Sequence, residues 1–107
     1  MEQRKFQRFT DQSTVTFGNA TIQGEGRLDN LSLGGAAILS DVSISKGSYL
    51  MLSIMLKSET RAIDIELAPV RWAKDGSFGV EFIRMAPDSQ RRLKLYIDAL
   101  EKTSEAA

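Results

Sequence analysis

Residues 49–72, YLMLSIMLKSETRAIDIELAPVRW, decide the fold, because they contain two strand patterns separated by a short polar turn. In the first pattern, apolar side chains such as Leu50 and Leu52 fall on every second residue, as a strand with one buried face requires. The second pattern starts at Ile63, and its apolar positions change from odd to even numbers at Ala68-Pro69. Proline cannot donate a hydrogen bond to a sheet, so we predict a β-bulge there, with the strand continuing beyond it.

Further strand patterns lie on both sides of this stretch, at residues 14–17, 20–31, 36–39 and 78–82. Glycine, asparagine and aspartate separate them, as is typical of tight turns. Gly24 and Gly26 interrupt one pattern and indicate either a bulge or a close approach of two backbones. Six short strands predict a mainly β fold, a six-stranded antiparallel β-barrel, because closure removes exposed strand edges.

The periodicity changes from two to 3.6 residues near the end of the chain. Pro87 is suited to a first helical position, and Leu93 and Ile97 lie on one helical face. We therefore predict one domain over residues 1–107, with a flexible N-terminal arm (1–12), a barrel (13–85) and a helix (87–102). The predicted core consists of Val15, Phe17, Ile22, Leu28, Ile38, Leu50, Leu52, Ile54, Ile63, Ile65, Val70, Val80 and Phe82.

The composition argues against several classes of function. The 107 residues include 14 lysines and arginines, 14 aspartates and glutamates, no histidine and no cysteine. Zero net charge is unlike a nucleic-acid-binding protein, and the lack of histidine and cysteine removes the usual catalytic bases, nucleophiles and zinc ligands. We expect neither an enzyme, a metal site, nor insertion into a membrane. The N-terminus lacks the apolar segment of a signal peptide, so we expect a cytoplasmic protein.

Two short motifs carry the chemistry. Arg4 and Arg8 are four residues apart, and each guanidinium can grip a phosphate or a guanine edge through paired hydrogen bonds. Residues 30–35, NLSLGG, join two strand patterns and supply an amide, a hydroxyl and two glycines. Glycine lets a backbone approach a ligand closely, although the same residue types also form ordinary turns.

Together the two motifs resemble the PilZ domain family, whose signature is R-x-x-x-R followed by [D/N]-x-S-x-x-G. Here 21 residues separate Arg8 from Asn30. The residues Gly79-Val80-Glu81-Phe82 and Val70-Arg71-Trp72 are similar to the last strands of that family, and the closing helix is also expected. The resemblance implies a PilZ-like split barrel that binds cyclic di-GMP, a ligand with two guanines and two phosphates.

The resemblance also implies a role for each motif residue. Arg4 and Arg8 would bind guanine edges and phosphate and stack on a base. Asn30 and Ser32 would form hydrogen bonds with the remaining polar edges, and Gly35 would keep the loop open.

Four further residues are secondary candidates for ligand binding. Gln3 stands where family members that bind a ligand dimer have an extra arginine, and Lys5 would supply part of that missing charge. Gly34 belongs to the glycine loop. Trp72 would either stack on a guanine or belong to the core.

The implied function is a cyclic di-GMP receptor or adaptor that changes conformation on binding and signals to an unidentified partner protein. Control of motility, biofilm or exopolysaccharide is the implied process. The alternative is a PilZ-like adaptor that works by protein contact without binding nucleotide. Met51 and Met55 would form either a contact surface or packing beneath the helix.

Overall fold

The computed structural model describes residues 13–56 and 60–106, with side chains described as far as residue 101. Six strands and one helix follow in chain order: β1 (Thr14–Gly18), β2 (Gln23–Ser32), β3 (Gly35–Leu39), β4 (Tyr49–Met55), β5 (Ile63–Lys74), β6 (Ser77–Glu81) and α1 (Pro87–Ala106). All strand pairs are antiparallel, and they close in the order β1-β2-β3-β6-β5-β4. The predicted mainly β barrel with a C-terminal helix is confirmed.

Alternating side chains fill the barrel. Phe17 and Phe78 meet edge to face, with ring centroids 5.1 Å apart, and Leu93 and Ile97 of α1 complete the apolar cluster. The predicted core needs one correction at Ile22 and Phe82, which pack against the cluster but are only partly buried. The residues that sequence patterning left out are Leu31, Ala36, Ile44, Leu56, Ala68, Phe78, Leu93 and Ile97.

Arginine side chains hold α1 against the barrel. Arg92 is mostly buried and donates hydrogen bonds to the carbonyl oxygen of Ala62 at 3.0 Å and to the Asp88 carboxylate at 3.0 Å. The Arg92 hydrogen bond, together with the charge of Arg91, holds the pKa of Asp88 below its ordinary value. Arg92 therefore links the start of α1 to the chain just before β5.

The helix also continues to Ala106, beyond the predicted end at residue 102. The added residues include no glycine or proline that would stop it. In the part of the chain that the structure describes, no helix is both long and apolar enough to cross a membrane.

Register shifts at three places interrupt the otherwise regular barrel. The extra residue of β5 against β4 lies between Ile65 and Ala68, slightly earlier than the bulge predicted at Ala68-Pro69. The other two shifts lie at Asp29 in β2 and Arg71 in β5. Gly24 and Gly26 keep regular register, and close packing explains them instead, since a Cβ on Gly24 would lie 2.8 Å from the Phe17 ring.

Candidate functional site

Two bulges bring the site residues onto the outer surface of the barrel. In β2, the extra residue at Asp29 follows the buried Leu28 and places Asn30 on the outside. In β5, the extra residue at Arg71 follows the buried Val70 and does the same for Trp72. A bulge reverses which face the next side chain takes, so both changes follow from the register.

The shifted residues form one row across four strands. Asn30 pairs with Ala37, Ala37 pairs with Gly79, and Gly79 pairs with Trp72. The two central residues are small, so the row is a trough with an amide at one end and an indole at the other. We call the outer surface of β2, β3, β6 and β5 around this trough the site face.

Trp72 lies over Gly79 and is 39% exposed. A Cβ on Gly79 would overlap the Nε1 and Cε2 atoms of the indole, so the ring can occupy this place only because residue 79 is glycine. The Lys74 ammonium lies 5.3 Å from the centroid of the indole ring, within the range of a cation–π contact. Trp72 is thus a partly exposed flat surface at the edge of the trough.

The turn between β2 and β3 is closed by its own side chain and by close packing. The Ser32 hydroxyl accepts a hydrogen bond from the Gly34 amide at 3.3 Å and donates one to the Gly35 carbonyl oxygen at 3.4 Å. A Cβ on Gly35 would overlap the carbonyl oxygen of Val80 in β6, whereas one on Gly34 would meet nothing within 4 Å. Gly35 therefore lets β3 approach β6, and Gly34 leaves open space above the turn.

These features surround one cavity of about 290 Å³. That volume is near the lower limit for small-molecule pockets, roughly 300–1,000 Å³. A large ligand would therefore extend beyond the cavity. The lining residues are Asn30, Ser32, Gly34, Gly35, Ala36, Ala37, Arg71, Trp72, Gly79, Val80 and Glu81.

The charges in this cavity cancel. Among its described lining residues, Arg71 and Glu81 are the charged ones. They form an ion pair in which Arg71 Nε and Nη2 lie 2.8 and 2.7 Å from the same oxygen, Glu81 Oε1. The cavity walls therefore supply no net positive charge for an anionic ligand.

A second hollow lies on the other side of the barrel, and we call its surface the rear face: the outer surface of β1 and β4 with the adjoining parts of β2 and β5. It is larger, about 1150 Å³, and its charged lining residues are Glu25, Asp64 and Glu66. The described residues that line it include no lysine or arginine. Three carboxylates would repel a phosphate, so the smaller cavity is the better candidate for an anion.

The structure brings five of the nine predicted site residues together: Asn30, Ser32, Gly34, Gly35 and Trp72 all line the cavity. The other four, Gln3, Arg4, Lys5 and Arg8, lie outside the described residues, as does the whole predicted arm, 1–12. Sequence reasoning did not single out Arg71, Glu81 or Gly79 as site residues. A charged residue next to the one tryptophan was a usable signal for Arg71, but its bulge was not visible in the pattern.

A comparison with family models identifies the domain. Residues 2–99 match the model of the PilZ domain. The chain belongs to the PilZ domain family. This is a family of cyclic di-GMP receptor and adaptor modules, in agreement with the resemblance based on residues 4–8 and 30–35.

Solved structures share the PilZ fold. The structure titled inhibitor of motility, MotI/DgrA, from Bacillus subtilis has a TM-score of 0.71 and 23% identity, and the match covers 96% of this chain and 53% of that one. YcgR from Escherichia coli in complex with c-di-GMP has a TM-score of 0.76 and 17% identity, with 98% and 49% covered. The chain thus spans about half the length of these two proteins.

A separate structure of the YcgR PilZ domain with c-di-GMP matches with a TM-score of 0.66 and 19% identity, covering 98% of this chain and 96% of that domain. At these identities the likeness concerns the fold. A comparison with curated proteins finds no significant match. Within residues 13–56 and 60–106, no cluster of three or more acidic, histidine or cysteine residues is placed to hold a metal ion.

Proposed function

We propose that this PilZ domain binds cyclic di-GMP at the site face and that the N-terminal arm closes over the ligand. The observation that carries the proposal is that Asn30, Ser32 and Trp72, predicted from sequence alone, line one cavity. The amide and hydroxyl offer hydrogen bonds to a base or phosphate, and the indole offers a surface on which a guanine stacks.

The charge of the ligand gives the arm its role. A molecule with two phosphates carries two negative charges, but the described walls are neutral. Arg4, Lys5 and Arg8, which outnumber Glu2 in the arm, supply the net positive charge that these walls lack.

The way the chain enters the barrel supports this role. The Leu28 amide donates a 2.9 Å hydrogen bond to the Ser13 carbonyl oxygen, which extends the pairing of β1 with β2 by one residue. Because the two strands are antiparallel, continuing in this direction leads toward Asn30 and the β2–β3 turn. Arg8 is five positions before Ser13, a distance that an extended chain covers in roughly 17 Å at about 3.3 Å per residue.

The proposed function is signalling without catalysis, in the cytoplasm: ligand orders the arm on the barrel, and a partner protein reads the changed surface. The proposed process is control of motility, biofilm or exopolysaccharide. The motility link is supported by the similarity to a protein titled inhibitor of motility. The process can be tested by comparing the swimming and surface attachment of cells that carry wild type or Arg8→Ala. The variant should behave as a protein that no longer responds to the ligand.

Isothermal titration with cyclic di-GMP tests ligand binding directly. We expect a Kd of about 1 μM for wild type, and a loss of at least about tenfold for Arg8→Ala because a charge-assisted contact disappears. Arg61→Ala is the matched control, since it also removes one arginine charge. Arg61 precedes β5, and its Nη2 atom lies 3.6 Å from Asp88 Oδ2. Wild type that gives no heat at high micromolar ligand would refute the proposal and favour an adaptor that does not bind nucleotide.

A further inference from the structure

Arg71 is placed in the cavity by its bulge. It is the extra residue of β5 between Val70 and Trp72, and so it lies beside the indole. Its side chain is 56% exposed, which leaves the guanidinium accessible to a ligand. Arginine binds phosphate oxygens through two parallel hydrogen bonds, and this arginine lines the same cavity as Asn30 and Ser32.

Glu81 occupies that guanidinium in the described structure. Its backbone is paired with Gly35, and its Oε1 atom accepts from both Nε and Nη2 of Arg71. The carboxylate is 48% exposed, and an exposed ion pair of this kind is held only weakly against solvent and competing ions. A phosphate that entered the cavity would meet both the guanidinium it can bind and a carboxylate that repels it.

We propose that Arg71 is a further phosphate-binding arginine of this site and that Glu81 is its internal competitor. The proposal rests on the proposed function. A ligand phosphate takes the two N–H groups of Arg71, and the Glu81 carboxylate turns toward solvent. The pair therefore lowers the apparent affinity, because only molecules with a free Arg71 are ready to bind.

Removing the competing carboxylate should raise the affinity for cyclic di-GMP, whereas removing an ordinary ligand contact lowers it. Glu81→Gln keeps the length and shape of the side chain but removes its charge. We expect it to bind cyclic di-GMP about three- to tenfold more tightly than wild type, because most molecules then have Arg71 available. Arg71→Ala should bind about tenfold more weakly. In the double variant, the gain from Glu81→Gln should shrink, since only the relief of repulsion remains.

Asp98→Asn is the matched control for net charge. Asp98 is 41% exposed and forms a 3.1 Å ion pair with Lys94 on α1, away from the cavity lining. It changes the charge of the protein by the same amount as Glu81→Gln, and its affinity should equal that of wild type. Thermal unfolding of all variants checks that each is folded.

The titrations with cyclic di-GMP separate the outcomes. The exchange of partners is supported if the single variant Glu81→Gln binds more tightly than wild type and if this gain is smaller in the Arg71→Ala background. An equal gain in both backgrounds, a gain shared by Asp98→Asn, or weaker binding by Glu81→Gln would overturn it while leaving the proposed function intact. A wild type that does not bind at all would overturn both.

Discussion

The site face and the rear face share two strands, β2 and β5, but they differ in residue size and charge. The site face contains bulges at Asp29 and Arg71, small residues at its centre and a neutral cavity. On the rear face, β1 pairs with β2 and β4 in unbroken register, the bulge of β5 against β4 follows Ile65, and the hollow carries three carboxylates. The site face is therefore distinguished by its small central residues and its balanced charge, and the larger hollow is less suited to an anion.

The largest expected effect is on packing behind the site face. In Gly35→Ala, the added Cβ would overlap the Val80 carbonyl oxygen, so β3 and β6 must separate. We expect a loss of about 1–3 kcal/mol in the free energy of unfolding, measured by urea denaturation. The neighbouring Gly34→Ala meets open space and should change it by less than about 0.5 kcal/mol. Equal losses from both substitutions would contradict the assigned role of Gly35.

The next largest expected effect is a change in ligand affinity when an aromatic residue is removed from one face or the other. Trp72 borders the cavity, whereas Tyr49 is 59% exposed on β4 of the rear face. Base stacking contributes about 1–3 kcal/mol, so Trp72→Ala should weaken cyclic di-GMP binding roughly tenfold or more. Tyr49→Ala should leave the Kd from calorimetry unchanged. If the tyrosine variant lost affinity instead, the ligand would belong to the rear face.

Two amides on the same strand sharpen the comparison. Asn30 lies after the β2 bulge and faces the cavity, and Gln23 lies before it and lines the rear hollow. A lost hydrogen bond typically corresponds to about 1 kcal/mol, so Asn30→Ala should weaken binding about fivefold. Gln23→Ala should bind like wild type in the same titration, and a reversed ranking would show that the bulge does not separate the two faces functionally.

The smallest expected effect concerns Asp88 and Arg92, which lie on α1 and belong to neither face. The Arg92 hydrogen bond lowers the pKa of Asp88 in the folded protein, so its stabilising contribution is present above the unfolded pKa and is lost as the pH falls through the lower, folded value. In Asp88→Asn, the unfolding temperature should therefore fall less steeply than in wild type as the pH drops below about 4. A series of thermal unfolding measurements across pH checks this. Cyclic di-GMP affinity at neutral pH should stay the same.

Much of the fold could be predicted from the sequence because alternation is a local signal. The apolar positions of residues 49–72 gave two strands, and the parity change revealed the bulge between Ile65 and Ala68 to within a few residues. The bulges at Asp29 and Arg71 were not predictable in the same way. Near Asp29 the residues alternate weakly, and after Arg71 the tryptophan itself suggested a continuing buried face.

The candidate site was predictable where a motif lies in one turn and not where it depends on register. Residues 30–35 identified the turn directly. Glu81 reaches the cavity through the pairing of β6 with Gly35 of β3, a strand far away in sequence, whereas Gly79 faces Trp72 across the β5–β6 hairpin only because the bulge at Arg71 shifts the register. The first pair joins strands that are distant along the chain and the second depends on a bulge, so sequence spacing reveals neither.

The length of β2 and β5 has a structural consequence. β2 has 10 residues and β5 has 12, and each extends from the acidic hollow on one side to the cavity on the other. Each strand is therefore one continuous stretch of backbone, bent by bulges, that borders both hollows. Asn30 and Trp72 therefore share a backbone segment with Glu25 and Asp64, so the cavity and the acidic hollow are joined through two strands.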